Sequence, residues 1–241
     1  MKALRRGLAA LAIVLAATAG AARAGPAVDL QLVLAVDTSG SVDWREFDLQ
    51  MAGIAAGFRD PEVVAAIGSG PLGRIAVCAM LWAESGWPKD FTPWHVVGGA
   101  ESAEAFARLV ETYPRRIEGG TGLGSAVMYA MKRIRDSGFA SPRKVIDISG
   151  DGRETTFREW RVTPGLARSA ATAQGITVNG LAILTDDPDL DRYYRAEVVG
   201  GFGAFVIAAG SIDDFARAMR LKLLREIEHR PIVSRLAGEA Q

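Results

Sequence analysis

Nearly continuous apolar runs alternate with amphipathic stretches along this chain. Such runs are typical of strands buried on both faces, and the stretches between them have the spacing of helices that cover a sheet. The alternation predicts an α/β fold, with a doubly wound, mostly parallel, Rossmann-like sheet flanked by helices on both faces. Strands are predicted at 29–36, 74–82, 143–149, 176–184 and 203–208, helices at about 44–58, 101–113, 123–136, 165–174 and 211–228, and an antiparallel edge strand at 93–97.

Local signals mark the starts of two predicted helices. Asp43 with Glu46, and Ser211 with Asp214, have the spacing of capping boxes, in which a side chain at the helix start accepts a hydrogen bond from the backbone three residues later. Pro61 is interpreted as a loop residue because proline commonly interrupts regular structure.

The N-terminal 24 residues have the pattern of a secretory signal peptide. Three basic residues precede an apolar stretch at 8–22, and small residues stand at Ala22 and Ala24, where a signal peptidase would cut. Cleavage after Ala24 leaves 25–241 as a single domain with its core at about 28–230. No apolar stretch reaches the roughly 18 residues of a membrane span. We therefore expect export to the periplasm or beyond the cell, without stable membrane insertion.

Composition excludes some partners and chemistries. Of 28 basic residues, four lie in the predicted signal peptide, which leaves 24 basic and 28 acidic residues and a net charge of about −4. Without a basic run, nucleic acid is a poor candidate partner. Cys78 is the only cysteine, so no intramolecular disulfide forms, and we expect it to be a small buried hydrophobe. The two histidines, His95 and His229, lie far apart and do not indicate zinc.

Oxygen-bearing side chains follow the first predicted strand. Asp37, Ser39 and Ser41 alternate on one tight loop, and hard oxygen donors of this kind suit a magnesium-like cation. Taken alone, the segment is equally typical of an ordinary turn before a helix, because Asp and Ser side chains accept hydrogen bonds from free backbone N–H groups.

Two further loops are expected to meet this one. Asp151 lies in the polar turn after the strand at 143–149, and Thr121 lies in a glycine-rich segment before the helix at 123–136. Open α/β sheets bind ligands at the carboxyl ends of their strands. The three loops therefore bring two carboxylates and three hydroxyls to one edge, although Thr121 alone is also compatible with a helix N-cap.

The order Asp37-x-Ser39-x-Ser41, then Thr121, then Asp151-Gly152 resembles the metal-ion-dependent adhesion site (MIDAS) of von Willebrand factor type A (VWA) domains. The likeness in element order covers essentially all of 25–241, and the segments 34–43 and 145–152 are similar to those of a group of exported bacterial members. The resemblance implies that Ser39, Ser41 and Thr121 bind Mg²⁺ directly or through water, with Mn²⁺ or Ca²⁺ as alternatives. Asp37 and Asp151 would fix the waters.

Two functions fit such a site. A magnesium ion held mainly by neutral hydroxyls keeps much of its charge, so a binding module would capture a carboxylate of a protein partner. A metal-dependent, phosphatase-like hydrolase would instead use Asp37 or Asp151 as nucleophile or base. The binding module is favoured, and no catalytic residues are assigned, because neither a phosphate-binding loop nor a nucleophile elbow is present. The groups left to assist catalysis are Arg153, Glu154, Arg158 and Arg161.

Several features stay open in the sequence, as does the oligomeric state. The long connection at 152–165, which carries Trp160, fits either an interface or a solvated loop. Trp44 either faces the metal loop or packs under the first helix. The acidic segment 186–191 offers a calcium alternative but lacks the glycine and terminal glutamate of an EF-hand, and Tyr193-Tyr194 is expected to cap the sheet edge.

Overall fold

A computed structural model describes residues 25–84, 86, 88–155 and 162–228. The predicted signal peptide, the segment around Trp160 and His229 lie outside the described residues. The strands are β1 Leu30–Asp37, β2 Ile75–Trp82, β3 Asp90–Phe91, β4 His95–Val97, β5 Arg143–Gly150, β6 Ile176–Ile183 and β7 Val206–Ala209. The α-helices are α1 Trp44–Arg59, α2 Pro61–Gly68, α3 Ala100–Glu111, α4 Leu123–Arg135, α5 Pro164–Ala173, α6 Leu190–Tyr193 and α7 Phe215–Glu228; a π-helix, Tyr194–Val198, follows α6 and a 3₁₀ turn, Ile212–Asp214, precedes α7.

The seven strands form one sheet in the order β3-β2-β1-β5-β6-β7, and β4 also pairs with β2. The pairs between β1, β2, β5, β6 and β7 are parallel, whereas β3 and β4 run antiparallel to β2. The predicted α/β class is therefore confirmed, as is the antiparallel edge strand near 93–97. Within the described residues, no helix combines the length and the apolar character needed to cross a membrane.

Both faces of the sheet are covered, and the central strand β1 is buried along its whole length. All eight residues of β1 are buried. Leu32 and Leu34 pack into a core with α1, α3 and α7, while Val33 and Ala35 pack into a second core with α4 and α5. Successive side chains of a strand point to opposite faces, so one apolar run supplies both cores.

The interpretation of Pro61 as a loop residue is wrong. Pro61 begins α2, and the Asp60 carboxylate caps that helix by accepting hydrogen bonds from the backbone N–H groups of Glu62 and Val63. The first turn of a helix has no internal partner for its N–H groups, so proline is tolerated there.

One of the two predicted capping boxes is present. The Asp43 carboxylate accepts from the Glu46 backbone N–H at 2.8 Å, and the Glu46 carboxylate accepts from the Asp43 N–H at 2.9 Å. The box predicted at Ser211 is wrong: its side chain makes no capping hydrogen bond, and a 3₁₀ turn separates it from α7. The Asp214 carboxylate instead accepts from the backbone N–H of Gly210 at 3.2 Å.

Candidate metal-binding site

The site lies where β1 and β5 end side by side. Val36 pairs with Ser149, so Asp37 lies beside Gly150. The chain leaves β1 towards β2, whereas β5 and β6 lie on the other side, which makes this edge a topological switch point of the kind that opens a crevice. We call this edge, at the carboxyl ends of β1 and β5, the rim.

Hydrogen bonds connect the predicted residues of the first loop to Asp151. The Ser39 backbone N–H donates to Asp37 Oδ1 at 2.7 Å, and the Ser39 and Ser41 hydroxyl oxygens lie 3.2 Å apart. The Ser41 hydroxyl donates to Asp151 Oδ1 at 2.8 Å. The structure therefore brings Asp37, Ser39, Ser41 and Asp151 into one continuous cluster at the rim.

Hydrogen bonds connect the Thr121 loop to the same cluster. The Gly40 backbone N–H donates to the carbonyl of Gly119 at 2.8 Å, and Gly119 adopts a φ of +139°, which favours glycine. The Thr121 N–H donates to Thr155 Oγ1 at 2.8 Å, and the Thr155 N–H donates to the Thr121 carbonyl at 2.9 Å. A Cβ placed on Gly152 would lie 3.6 Å from Thr121 Oγ1.

All five predicted site residues thus meet at the rim. Thr121 is not a helix N-cap, because Gly122 occupies that position of α4.

The two carboxylates are buried without an ion-pair partner among the described residues. Asp37 Oδ2 has no hydrogen-bond partner there either. Burial, and then the charge of Asp151, raise the pKa of Asp37 to about 7, although hydrogen bonds from Ser39 oppose the rise. Burial also raises the pKa of Asp151, against the hydrogen bond from Ser41. Two buried acids without an ion-pair partner favour the binding of a cation.

The donor set fits a cation bound largely by hydroxyl groups. Within the residues that the structure describes, no group of three or more His, Cys, Asp or Glu side chains is placed to hold a metal. Any ion at the rim would therefore depend on Ser39, Ser41 and Thr121 beside the two acids. Hydroxyl and carboxylate oxygens are the ligands that Mg²⁺ accepts.

Arg115 is a site neighbour that the sequence does not reveal. Its side chain is only 4% exposed, and its Nη2 donates to the carbonyls of Thr38 at 3.2 Å and Ser39 at 3.3 Å. Its positive charge lowers the pKa of Asp37, but less than burial raises it. The adjacent Arg116 is exposed and pairs with Asp90, and nothing in the sequence distinguishes the two arginines.

Contrary to the sequence prediction, Tyr194 does not cap the sheet edge but is fully buried beneath the site. A Cβ placed on Gly150 would lie 2.6 Å from Asp37 Oδ2 and 2.8 Å from the Tyr194 hydroxyl oxygen. The close approach of strand and tyrosine requires glycine at this position. Tyr193, by contrast, is only partly buried, and its hydroxyl accepts from the Glu154 backbone N–H at 3.3 Å.

Three acids of the segment 186–191 form ion pairs, and the described residues hold no group of three or more His, Cys, Asp or Glu side chains placed to bind a metal there. Asp187 pairs with Arg153 at 2.6 Å, and Asp191 pairs with Arg195 at 2.9 Å. Cys78 is buried, as expected, and burial raises the pKa of its thiol to about 12.

Two of the groups considered for hydrolysis, Arg153 and Glu154, have other partners. Arg153 is engaged by Asp187, and the Glu154 carboxylate accepts from the Gly124 backbone N–H at 3.0 Å. Arg158 and Arg161 lie outside the described residues.

A family model described as "Protein of unknown function (DUF1194)" matches residues 27–231. The chain belongs to the DUF1194 family. A comparison with curated proteins found no significant match.

Solved structures show that this DUF1194 member has a VWA-like fold. The pilus adhesin SpaC from Lactobacillus rhamnosus GG, in its open conformation, is 16% identical with a TM-score of 0.59, over 83% of this chain and 30% of SpaC. A von Willebrand factor type A structure from Catenulispora acidiphila is 16% identical with a TM-score of 0.57, over 83% of this chain and 43% of that one.

Proximal thread matrix protein 1 from the mussel byssus, with a zinc-occupied MIDAS motif, is 13% identical with a TM-score of 0.53, over 85% of this chain and 47% of that protein. The DUF1194 chain thus spans less than half the length of each of these three chains. The predicted resemblance to VWA domains is confirmed at the level of the fold.

Proposed function

We propose that this protein is an exported, metal-dependent protein-binding module. Asp37, Ser39, Ser41, Thr121 and Asp151 hold a divalent cation, Mg²⁺ with Mn²⁺ or Ca²⁺ as alternatives, and the cation accepts a carboxylate of a protein partner. The observation that carries the proposal is the buried Asp37 carboxylate, whose Oδ2 has no hydrogen-bond partner among the described residues, next to the hydrogen-bonded chain that leads to Asp151.

The chemistry of the site favours binding over hydrolysis. Hydroxyl ligands leave a bound cation much of its positive charge, so an outside carboxylate gains by completing its coordination. Hydrolysis would need a further acid, base or phosphate-binding group, and Arg153 and Glu154 are committed to Asp187 and to the start of α4. We therefore propose no enzymatic activity.

Export and domain extent belong to the same proposal. Cleavage after Ala24 would release residues 25–241 as one domain in the periplasm or outside the cell. The adhesin SpaC has the same fold, and a binding role outside the cytoplasm agrees with that likeness. N-terminal sequencing of the protein recovered from the exported fraction would check the cleavage site.

Thermal unfolding tests the metal site. A ligand at about 100 times its Kd adds about 2.7 kcal/mol of stability, which should raise the Tm by roughly 5–10 °C for a domain of this size. Asp37→Ala and Asp151→Ala should each abolish the rise on adding MgCl₂ or MnCl₂ and keep the circular dichroism spectrum. Asp189→Ala, at an exposed acid that pairs with Arg192, is the matched control and should retain it.

A rise that survives in both site variants would place the metal elsewhere and overturn the proposal. Phosphatase activity on generic substrates, lost in the same two variants, would favour the hydrolase. Binding itself is tested by capture from the exported fraction with and without chelator. The wild type should capture partners in Mg²⁺ and release them when chelator is added. The Ser41→Ala variant should not capture them.

A further inference from the structure

Trp44 is displayed beside the proposed metal loop. It is the first residue of α1, three positions after Ser41, and it is 60% exposed. The sequence left open whether it faces this loop or packs under α1, and its exposure rules out the second arrangement. Tryptophan is among the residues most enriched at the energetic centres of protein interfaces.

The Arg115 guanidinium packs against the Trp44 ring. The guanidinium carbon lies 5.2 Å from the centroid of the Trp44 ring and 6.0 Å from that of Phe47, and the Phe47 ring meets Trp44 edge-on at 6.5 Å. The same guanidinium donates to the carbonyls of Thr38 and Ser39. One buried cation therefore joins the exposed ring to the backbone of the metal loop.

This arrangement suits a contact surface, because the Arg115 guanidinium and the Phe47 ring contact the Trp44 ring without any partner. A preorganised side chain loses less conformational entropy on binding than a free one. The Arg115 charge is also incompletely neutralised: its nearest carboxylate oxygen, on Glu118, is 3.9 Å from Nε, and Nε has no hydrogen-bond partner among the described residues. The positive charge behind the loop complements an acidic ligand.

We propose that Trp44 and Arg115 form a specificity surface that selects protein segments in which the metal-binding acidic residue is directly next to an aromatic or large aliphatic residue. The acid would bind the cation, and its apolar neighbour would lie on the Trp44 ring. This inference rests on the proposed metal-dependent binding and adds the sequence context that the partner must carry.

Immobilised synthetic peptides test the preference. The probes are glycine hexapeptides that contain Asp-Phe, Phe-Asp, Asp-Gly or Asn-Phe at their centre, and binding of the full protein is measured in MgCl₂ and in chelator. With Mg²⁺, the Asp-Phe peptide, the Phe-Asp peptide or both should bind about tenfold more tightly than the Asp-Gly peptide, as expected for an aromatic anchor. Asn-Phe should not bind.

Trp44→Ala should reduce binding of the preferred peptide to the Asp-Gly level, while Asp-Gly binding and the Mg²⁺-induced rise in Tm stay unchanged. The matched control is Phe202→Ala, because Phe202 is 77% exposed and its carbonyl lies beside Thr177 at the start of β6, at the opposite edge of the sheet. This variant should keep the full preference.

The outcomes separate the two proposals. The specificity surface is overturned if neither the Asp-Phe nor the Phe-Asp peptide binds better than the Asp-Gly peptide, or if Trp44→Ala keeps the preference. The metal-dependent module then stands. If no acidic peptide binds in a Mg²⁺-dependent way, the proposed function is overturned, and the specificity surface with it.

Discussion

Two pairs of buried carboxylates lie along the same sheet, and they are neutralised differently. In the middle of β5, Asp147 lies near Glu226 of α7, and the buried Lys222 ammonium is 2.6 Å from Asp147 Oδ1 and also contacts the Glu226 carboxylate. At the end of β5, Asp151 shares the rim with Asp37, and no described residue forms an ion pair with either acid. We call these the α7 cluster and the rim pair.

The comparison shows what a buried acid needs in this fold. The α7 cluster contains its own cation, and the Asn179 side chain donates to Glu226 at 2.9 Å, although Asp147 Oδ2 and Glu226 Oε2 have no hydrogen-bond partner among the described residues. The rim has a lysine nearby, Lys89, but its ammonium donates to the carbonyls of Ala83 and Glu84. Burial lowers the pKa of Lys89 to about 8. Under the proposed function, a cation from solution would neutralise the rim pair.

The largest change in the free energy of unfolding is expected when the α7 cluster loses its cation. Lys222→Met leaves two buried carboxylates without a cation, and removing one partner of a buried ion pair costs about 3–5 kcal/mol. Urea unfolding should show this loss. Lys132→Met, at an exposed lysine that pairs with Asp136, is the control and should cost less than about 1 kcal/mol. Equal losses in the two variants would mean that Lys222 does not neutralise the cluster.

The next effect separates the clusters by their response to metal. In chelator, Asp37→Asn should be at least as stable as the wild type, because an amide at this buried position carries no charge to desolvate. In MgCl₂ at about 100 times Kd, it should lack the wild-type gain of about 2.7 kcal/mol. Asp147→Asn should keep that gain. If Asp147→Asn alone lost the gain in stability, the metal would bind at the α7 cluster and not at the rim pair.

A pH effect that Asp147→Asn removes is expected from the α7 cluster. Burial, and then the charge of Glu226, raise the pKa of Asp147 from 3.8 to about 7, although Lys222 opposes the rise. A carboxyl group whose pKa is raised by folding stabilises the protein fully below its unfolded pKa, and that stability is lost as the pH rises towards the folded pKa. The wild type should therefore lose stability relative to Asp147→Asn between about pH 4 and 7.

Denaturant unfolding at a series of pH values, in MgCl₂ and in chelator, measures that difference. It should be the same in both buffers, because Lys222 and not a metal neutralises this cluster. Profiles that stay parallel across the range would contradict the assignment to Asp147.

The smallest effect is expected at Tyr194. Its hydroxyl is buried and has no hydrogen-bond partner among the described residues. Tyr194→Phe removes no bond, so the free energy of unfolding should change by less than about 1 kcal/mol and the Mg²⁺-induced rise in Tm should persist. A loss above about 2 kcal/mol in chelator would show that this hydroxyl, rather than a cation, satisfies Asp37.

The parts of the fold that follow from apolar periodicity were predictable from the sequence. The four eight-residue strands, β1, β2, β5 and β6, and the rim follow from where the apolar runs end. The start of α2 was missed because a proline at the first helical position looks like a loop signal. The Ser211 box was predicted wrongly for the opposite reason, since the local spacing is right but the chain forms a 3₁₀ turn there.

The candidate site divides in the same way. Asp37, Ser39, Ser41, Thr121 and Asp151 were predictable because their positions follow from strand ends and loop order. Arg115 and Tyr194 were not, because their proximity to the site comes from burial by distant segments. The role of Lys222 was also hidden, since a lysine in an amphipathic helix is ordinarily exposed.

The most direct test of the metal site is the anomalous diffraction signal of manganese in crystals of the protein grown or soaked with MnCl₂. We expect one strong peak at the rim, within ligand distance of oxygen atoms of Ser39, Ser41 and Thr121 and close to the carboxylates of Asp37 and Asp151. A rim without a peak, at Mn²⁺ concentrations that raise the Tm, would contradict the proposal.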